Sequence, residues 1–66
     1  MDRYYKVEFS HTRDGKRVKE FDETYRECAQ DAVDAVRGWY NDLNNLRIEQ
    51  VWRDNGNNWV VTTAWE

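Results

Sequence analysis

The chain has one cysteine, one histidine, no proline and three glycines among its 66 residues. A single cysteine cannot close an internal disulfide, which excludes a disulfide-stapled secreted scaffold. Cys28 and His11 together fall short of the Cys/His ligand set of a structural zinc site. No apolar run approaches the roughly 18 residues that a transmembrane helix needs, so no membrane association is expected. The opening stretch MDRYYKVEFSH is charged and alternating, unlike a secretory leader, and a reducing cytoplasmic setting is expected. With no proline and no low-complexity tract there is no linker, and residues 1–66 are expected to form one domain. The glycines are scattered, so no glycine-rich phosphate loop exists.

Aromatics are what the chain has in quantity, at 15% of residues with four tryptophans. Mean hydropathy is low at −1.13, yet disordered chains are poor in aromatics, so a folded domain is expected. A domain this small buries only about 60% of its unfolded surface, and its aromatics are the natural substitute for a staple. Charge is divided along the chain. Residues 1–19 carry six basic and three acidic side chains, residues 20–42 seven acidic and two basic, and the net charge is −3.

YYKVEFSH alternates, with Tyr5, Val7, Phe9 and His11 on one face, which reads as a half-buried strand. Arg13-Asp14-Gly15 fits a three-residue hairpin loop with Gly15 left-handed. That loop puts Phe21 on the core face and turns Val18 outward; a two-residue loop does the reverse, and burying the larger ring is preferred. Thr24 followed by Glu27 is a capping box, predicting a helix whose stripe holds Tyr25, Cys28, Ala29, Ala32, Ala35, Val36, Trp39, Tyr40 and Leu43. Asn55-Gly56 predicts a second hairpin with a two-residue turn. In that register Leu46, Ile48, Gln50, Trp52, Trp59, Val61, Thr63 and Trp65 share a face. Gathering Trp52, Trp59 and Trp65 there makes them core rather than a stacking platform.

The expected fold class is α+β: ββαββ, one helix on a four-stranded, mostly antiparallel sheet, with order 2-1-4-3 and strands 1 and 4 parallel at the centre. This order of elements resembles the β-grasp layout of small immunoglobulin-binding modules, and short ββαββ proteins of bacteria and their phages look similar. The resemblance lies in element order, and no functional residue is carried over from it.

Candidate chemistry is sparse. Cys28 is expected on the core stripe and His11 at a strand end, with nothing in the spacing to pair them as nucleophile and base. Neither a catalytic site, a metal site nor a cofactor is expected, and the protein is read as non-enzymatic. Glu27, Asp31 and Asp34 share an exposed helix face that suits a basic protein partner. Tyr4, Val51 and Val60, with Val18, Thr62 and Ala64, are expected on an outer sheet face more apolar than plain solvated surface. Residues 17–22 and 47–53 are expected as edge strands able to accept a partner strand. The function expected is a small interaction module or regulator that docks to a protein partner, itself a monomer or homodimer. The alternative is a nucleic-acid-binding protein that tracks phosphates with Arg13, Lys16, Arg17 and Lys19 of the first hairpin.

Overall fold

A computed structural model describes residues 3–62 and residue 65. Two long strands, β1 (Arg3–Arg13) and β2 (Lys16–Arg26), form the first hairpin, and helix α1 (Ala29–Trp39) follows. β3 (Asn44–Asp54) and the short β4 (Trp59–Thr62) form the second hairpin. The fold is α+β, one helix on an open four-stranded sheet in which every adjacent pair is antiparallel. Among the described residues no helix is long and apolar enough to cross a membrane.

The strand order is β2-β1-β3-β4, not the expected 2-1-4-3. β1 lies between β2 and β3 and is antiparallel to both. β3 runs beside β1 over most of its length, from Asn44 opposite Thr12 to Arg53 opposite Tyr5. An eleven-residue neighbour satisfies most of the backbone groups along that edge of β1. Antiparallel pairing is also slightly stronger per residue than the parallel pairing the other order required. The β-grasp layout therefore does not hold, and residues 47–53 belong to an inner strand rather than an edge.

The first hairpin closes with two residues. Asp14 and Gly15 both have positive φ, 53° and 77°, the signature of a type I′ turn. Arg13 then faces Lys16, and His11 faces Val18. The preference for burying the larger ring gave the wrong face: Val18 turns toward the helix side, and Phe21 lies on the opposite, solvent side. The turn decides, because Asp-Gly supplies the two left-handed positions whose twist matches the strands.

The helix also starts later than predicted. β2 continues through Arg26, and Thr24 is a buried strand residue facing Tyr5 rather than an N-cap. Cys28 is the N-cap, with no side-chain cap hydrogen bond, and it is exposed rather than on the core stripe. Ala29, Ala32, Val33 and Val36 form the buried stripe. Their small size lets α1 sit close over Tyr5, Val7, Phe9 and Val51, which complete the core. Phe9 stacks on Tyr40 with ring centroids 4.8 Å apart. Tyr40 donates its hydroxyl proton to the Asp22 carboxylate, and that bond holds the phenol pKa above its ordinary value.

The second hairpin has a four-residue loop, pairing Asp54 with Trp59 and Trp52 with Val61. Only Gly56 in this loop has positive φ, 104°, so the two left-handed positions of a type I′ turn are not met. The Asn55 side chain instead accepts the amides of Asn57 and Asn58, at 3.1 and 2.8 Å, and stabilises the longer loop. This two-residue slip keeps Trp52, Trp59 and Val61 on one face, as expected.

Which face they occupy is set by a bulge. Glu8 pairs with Gln50 but Phe9 pairs with Ile48, leaving Glu49 as the extra residue on β3. The extra residue inverts the alternation. Leu46 and Ile48 before it, and Val51 after it, all pack toward the helix. Trp52 and Trp59 consequently point away from the helix, correcting their assignment to the core. Of the tryptophans expected there, Trp65 alone packs against it; Thr63 and Ala64 lie outside the described residues. Trp39 ends the helix half-exposed, with the Arg26 guanidinium 5.6 Å over its ring.

Candidate functional site

The sheet face opposite the helix carries the protein's least explained feature. Alternation along β1 puts Tyr4, Lys6 and Glu8 on this face, and the β2 register adds Tyr25, Glu23 and Phe21 opposite them. Trp52 and Asp54 on β3, and Trp59 and Val61 on β4, complete it. The two-residue turn sets the β2 contribution, and the bulge sets that of β3 and β4.

The aromatics are exposed yet ordered against one another. Tyr4 is 40% exposed, Phe21 56%, Tyr25 57% and Trp59 37%, while Trp52 is partly buried. Tyr4 stacks near Trp59 at 6.0 Å and leans on Tyr25 at 6.2 Å. Phe21 meets Trp52 at 6.0 Å. Lys6 lies between them, its Nζ 5.6 Å from the Phe21 centroid, 5.2 Å from Trp52 and 4.9 Å from Trp59. At such distances the ammonium is attracted by the ring quadrupoles, by about 0.5–1 kcal/mol per exposed pair. Lys6 on β1 thus ties all four strands together without covering the outer edges of the rings.

Carboxylates surround this cluster. Glu23 is the cross-strand partner of Lys6, Glu8 that of Phe21, and Asp54 that of Trp59. Their field is visible at Tyr4. The negative charge of Glu23, then burial, the hydrogen bond to Glu23 and the charge of Asp22, hold its phenol pKa above the ordinary value.

The other end of the same face is polar and mostly basic. Ser10 donates to Glu49 and accepts from Arg17 Nη1 at 2.8 Å. Arg17 also donates to the Asn45 carbonyl at 3.2 Å, and Arg47 lies 3.9 Å from Glu49. The Ser10 hydrogen bond first, with help from Arg47, Lys19 and Arg17, holds the Glu49 carboxyl below its usual pKa against the opposing effect of burial.

The residues singled out from sequence are scattered over the molecule. Tyr4 lies within the aromatic cluster. Val51 is fully buried in the core and presents no surface, and Val60 is exposed but points to the helix side of β4. Thr62 is half-buried and faces Val51, and Ala64 lies outside the described residues. Glu27, Asp31 and Asp34 are exposed, with Glu27 just before the helix rather than on it. Arg17 and Lys19 share the sheet face, whereas Arg13 and Lys16 take the helix side of the turn, with Arg13 3.7 Å from Glu20. The basic hairpin is therefore divided between two faces. Lys6 lies on the outer face of β1 as its alternation implies, whereas the sequence patterns place Phe21, Trp52 and Trp59 in the core and Tyr25 on the helix, so the cluster as such was missed. For β2 the signal was the Asp-Gly pair itself; for β3 it was the spacing Leu46, Ile48, Val51, which breaks strict alternation.

His11 is buried on the helix side, bonded through Nε2 to Glu20 and stacked near Phe9, with Nδ1 buried and unpartnered. Cys28 is exposed. Among the described residues no three His, Cys, Asp or Glu side chains are placed to hold a metal ion, and no pocket is enclosed. Compared with known proteins, the chain matches no family model, no curated protein and no solved structure.

Proposed function

We propose that the protein is a non-enzymatic docking module whose working surface is the helix-free sheet face. The observation that supports it is the exposed aromatic cluster of Tyr4, Phe21, Tyr25, Trp52 and Trp59 around Lys6. A small domain with a marginal core gains nothing in stability from leaving such rings in water. Exposed, contiguous aromatic surface marks interaction sites, and aromatic side chains dominate the energetics of interface centres. The acidic surface of Glu27, Asp31 and Asp34 is the second docking surface considered; no cluster of stacked rings is found on it among the described residues. The single free thiol suits a reducing, cytoplasmic setting.

The experiment is a comparison of captured partners. Immobilised wild-type protein and a Phe21→Ser/Trp59→Ser variant are exposed to extract of the native host. The reading predicts a captured protein that is lost with the variant while the fold, by circular dichroism, persists. Capture unaffected by the variant, but lost on reversing Asp31 and Asp34 to Lys, would move the site to the helix.

The second reading is a single-stranded nucleic-acid platform, favoured by rings on adjacent strands beside Arg17 and Lys19. Two features weigh against it. Lys6 occupies the ring faces on which bases would stack, and Glu8, Glu23 and Asp54 surround the rings where phosphates would run.

A further inference from the structure

We propose that the aromatic half of the helix-free sheet face takes a short cationic amphipathic segment of its protein partner. Apolar side chains would rest against the uncovered outer edges of Phe21, Trp52 and Trp59, with arginine or lysine against Glu8, Glu23 and Asp54. The inference rests on the docking reading and deepens it by naming the chemistry of the occupant.

Charge is the first argument. Among the described residues Lys6 is the one basic side chain on this half of the face, and its ammonium is directed onto three rings. The three carboxylates are left to set the sign seen by an approaching chain. A cationic segment gains Coulomb attraction from them, and cation–π contact with the exposed Tyr25 ring; an anionic segment is repelled.

Size is the second. Four strands spaced about 4.8 Å apart, over the five residues from Tyr4 to Glu8, make a patch of about 300 Å². A stable globular interface needs about 800 Å² on each partner. The aromatic patch matches a single extended strand or a few helical turns.

The third is the poor fit of a second copy. A two-fold axis along the strands, between β1 and β3, would set Glu8, Glu23 and Asp54 against Gln50, Val61 and Tyr4 of the second copy, burying three carboxylates with no cation directly opposite them. A two-fold axis across the strands would lay the rings over Ser10, Arg17 and Glu49, which are already bonded to one another and would only lose water.

The test uses the whole protein, isotope-labelled, and three synthetic peptides of one alternating pattern: leucine with arginine, with glutamine and with glutamate. An oligothymidylate and sedimentation of the protein alone complete the set. The arginine peptide is expected to shift the resonances of Lys6, Phe21, Trp52 and Trp59 saturably. Its affinity should fall about tenfold in a Glu8→Lys/Glu23→Lys variant, and should also fall with salt. Should the double variant not fold, Glu23→Lys alone gives the same readout. Equal or tighter binding of the glutamate peptide or the oligothymidylate overturns the proposal. So does closure of the face on a second copy, or no response to the arginine peptide at about 1 mM. If the glutamine peptide binds the face as well as the arginine peptide, the cationic class is wrong and the docking reading stands. If all three peptides leave the face unperturbed, both fail.

Discussion

Phe9 and Phe21 differ by twelve positions and by one face of the sheet, and changing each to alanine separates two registers of the first hairpin. Phe9 is 1% exposed, stacked on Tyr40 and close to His11. Removing a ring so enclosed costs about 3–5 kcal/mol, the transfer free energy plus the cavity left behind. That equals the whole stability of a typical domain of this size, so Phe9→Ala should be largely unfolded at 25 °C. Phe21 is 56% exposed, with the Trp52 ring and the Lys6 ammonium beside it on its face. Full burial of a Phe side chain contributes roughly 1.5–3 kcal/mol, and less than half of this side chain is covered. With one cation–π contact added, Phe21→Ala should cost about 1 kcal/mol. Urea unfolding followed by far-ultraviolet circular dichroism measures both, free of the change that a lost ring causes in tryptophan emission. A Phe21→Ala variant as unstable as Phe9→Ala would refute the two-residue turn and return Phe21 to the core.

Four further outcomes are expected. Gly15 has a φ of 77°, so Gly15→Ala should destabilise by about 1 kcal/mol; exposed Gly38 on α1 has open space where a Cβ would go, so Gly38→Ala should stabilise by about 0.5–1 kcal/mol in the same melts. Glu49 has a lowered pKa in the folded state, so its contribution to stability is present above the unfolded glutamate pKa and is lost as pH falls through the folded value; Ser10→Ala should raise the Glu49 midpoint in a carbonyl-shift titration, and an unchanged midpoint would show that the hydrogen bond does not set it. Trp39 and Trp59 are exposed, so iodide should quench a substantial part of the tryptophan emission, whereas emission shielded throughout would return the tryptophans to the interior.

The order of elements, the inward face of β1 and Ala29, Ala32 and Val36 of the helix stripe were legible in the sequence. Each is a local pattern repeated over several residues, and Tyr5, Val7, Phe9 and His11 are buried as their spacing requires. The fully buried Val33 was missed, and Tyr25, Cys28 and Trp39 are exposed. The candidate site was illegible because two single-residue events decide it. One is whether the first loop holds two residues or three, which moves Phe21 across the sheet; Tyr25 was hidden separately, because Thr24 and Glu27 read as a capping box and put it on the helix. Weighing ring size above turn chemistry gave the wrong face, although Asp14-Gly15 carried the answer. The other is the extra residue at Glu49, which moves Trp52 and Trp59 to solvent while Leu46 and Ile48 stay inward. Strand order was hidden for a different reason. It depends on which strand of the second hairpin pairs with β1, and the alternation of β3 and β4 reads the same in either order.

The arrangement of Lys6 among the rings tests the account most directly, because it requires the turn, the bulge and the strand order together. A nuclear Overhauser spectrum of the folded protein should show the Lys6 side-chain protons close to Phe21, Trp52 and Trp59, and moved upfield by their ring currents. Cross-peaks from Trp52 or Trp59 to Ala32, Val33 or Val36 of the helix, with Lys6 at its random-coil shifts, would contradict it.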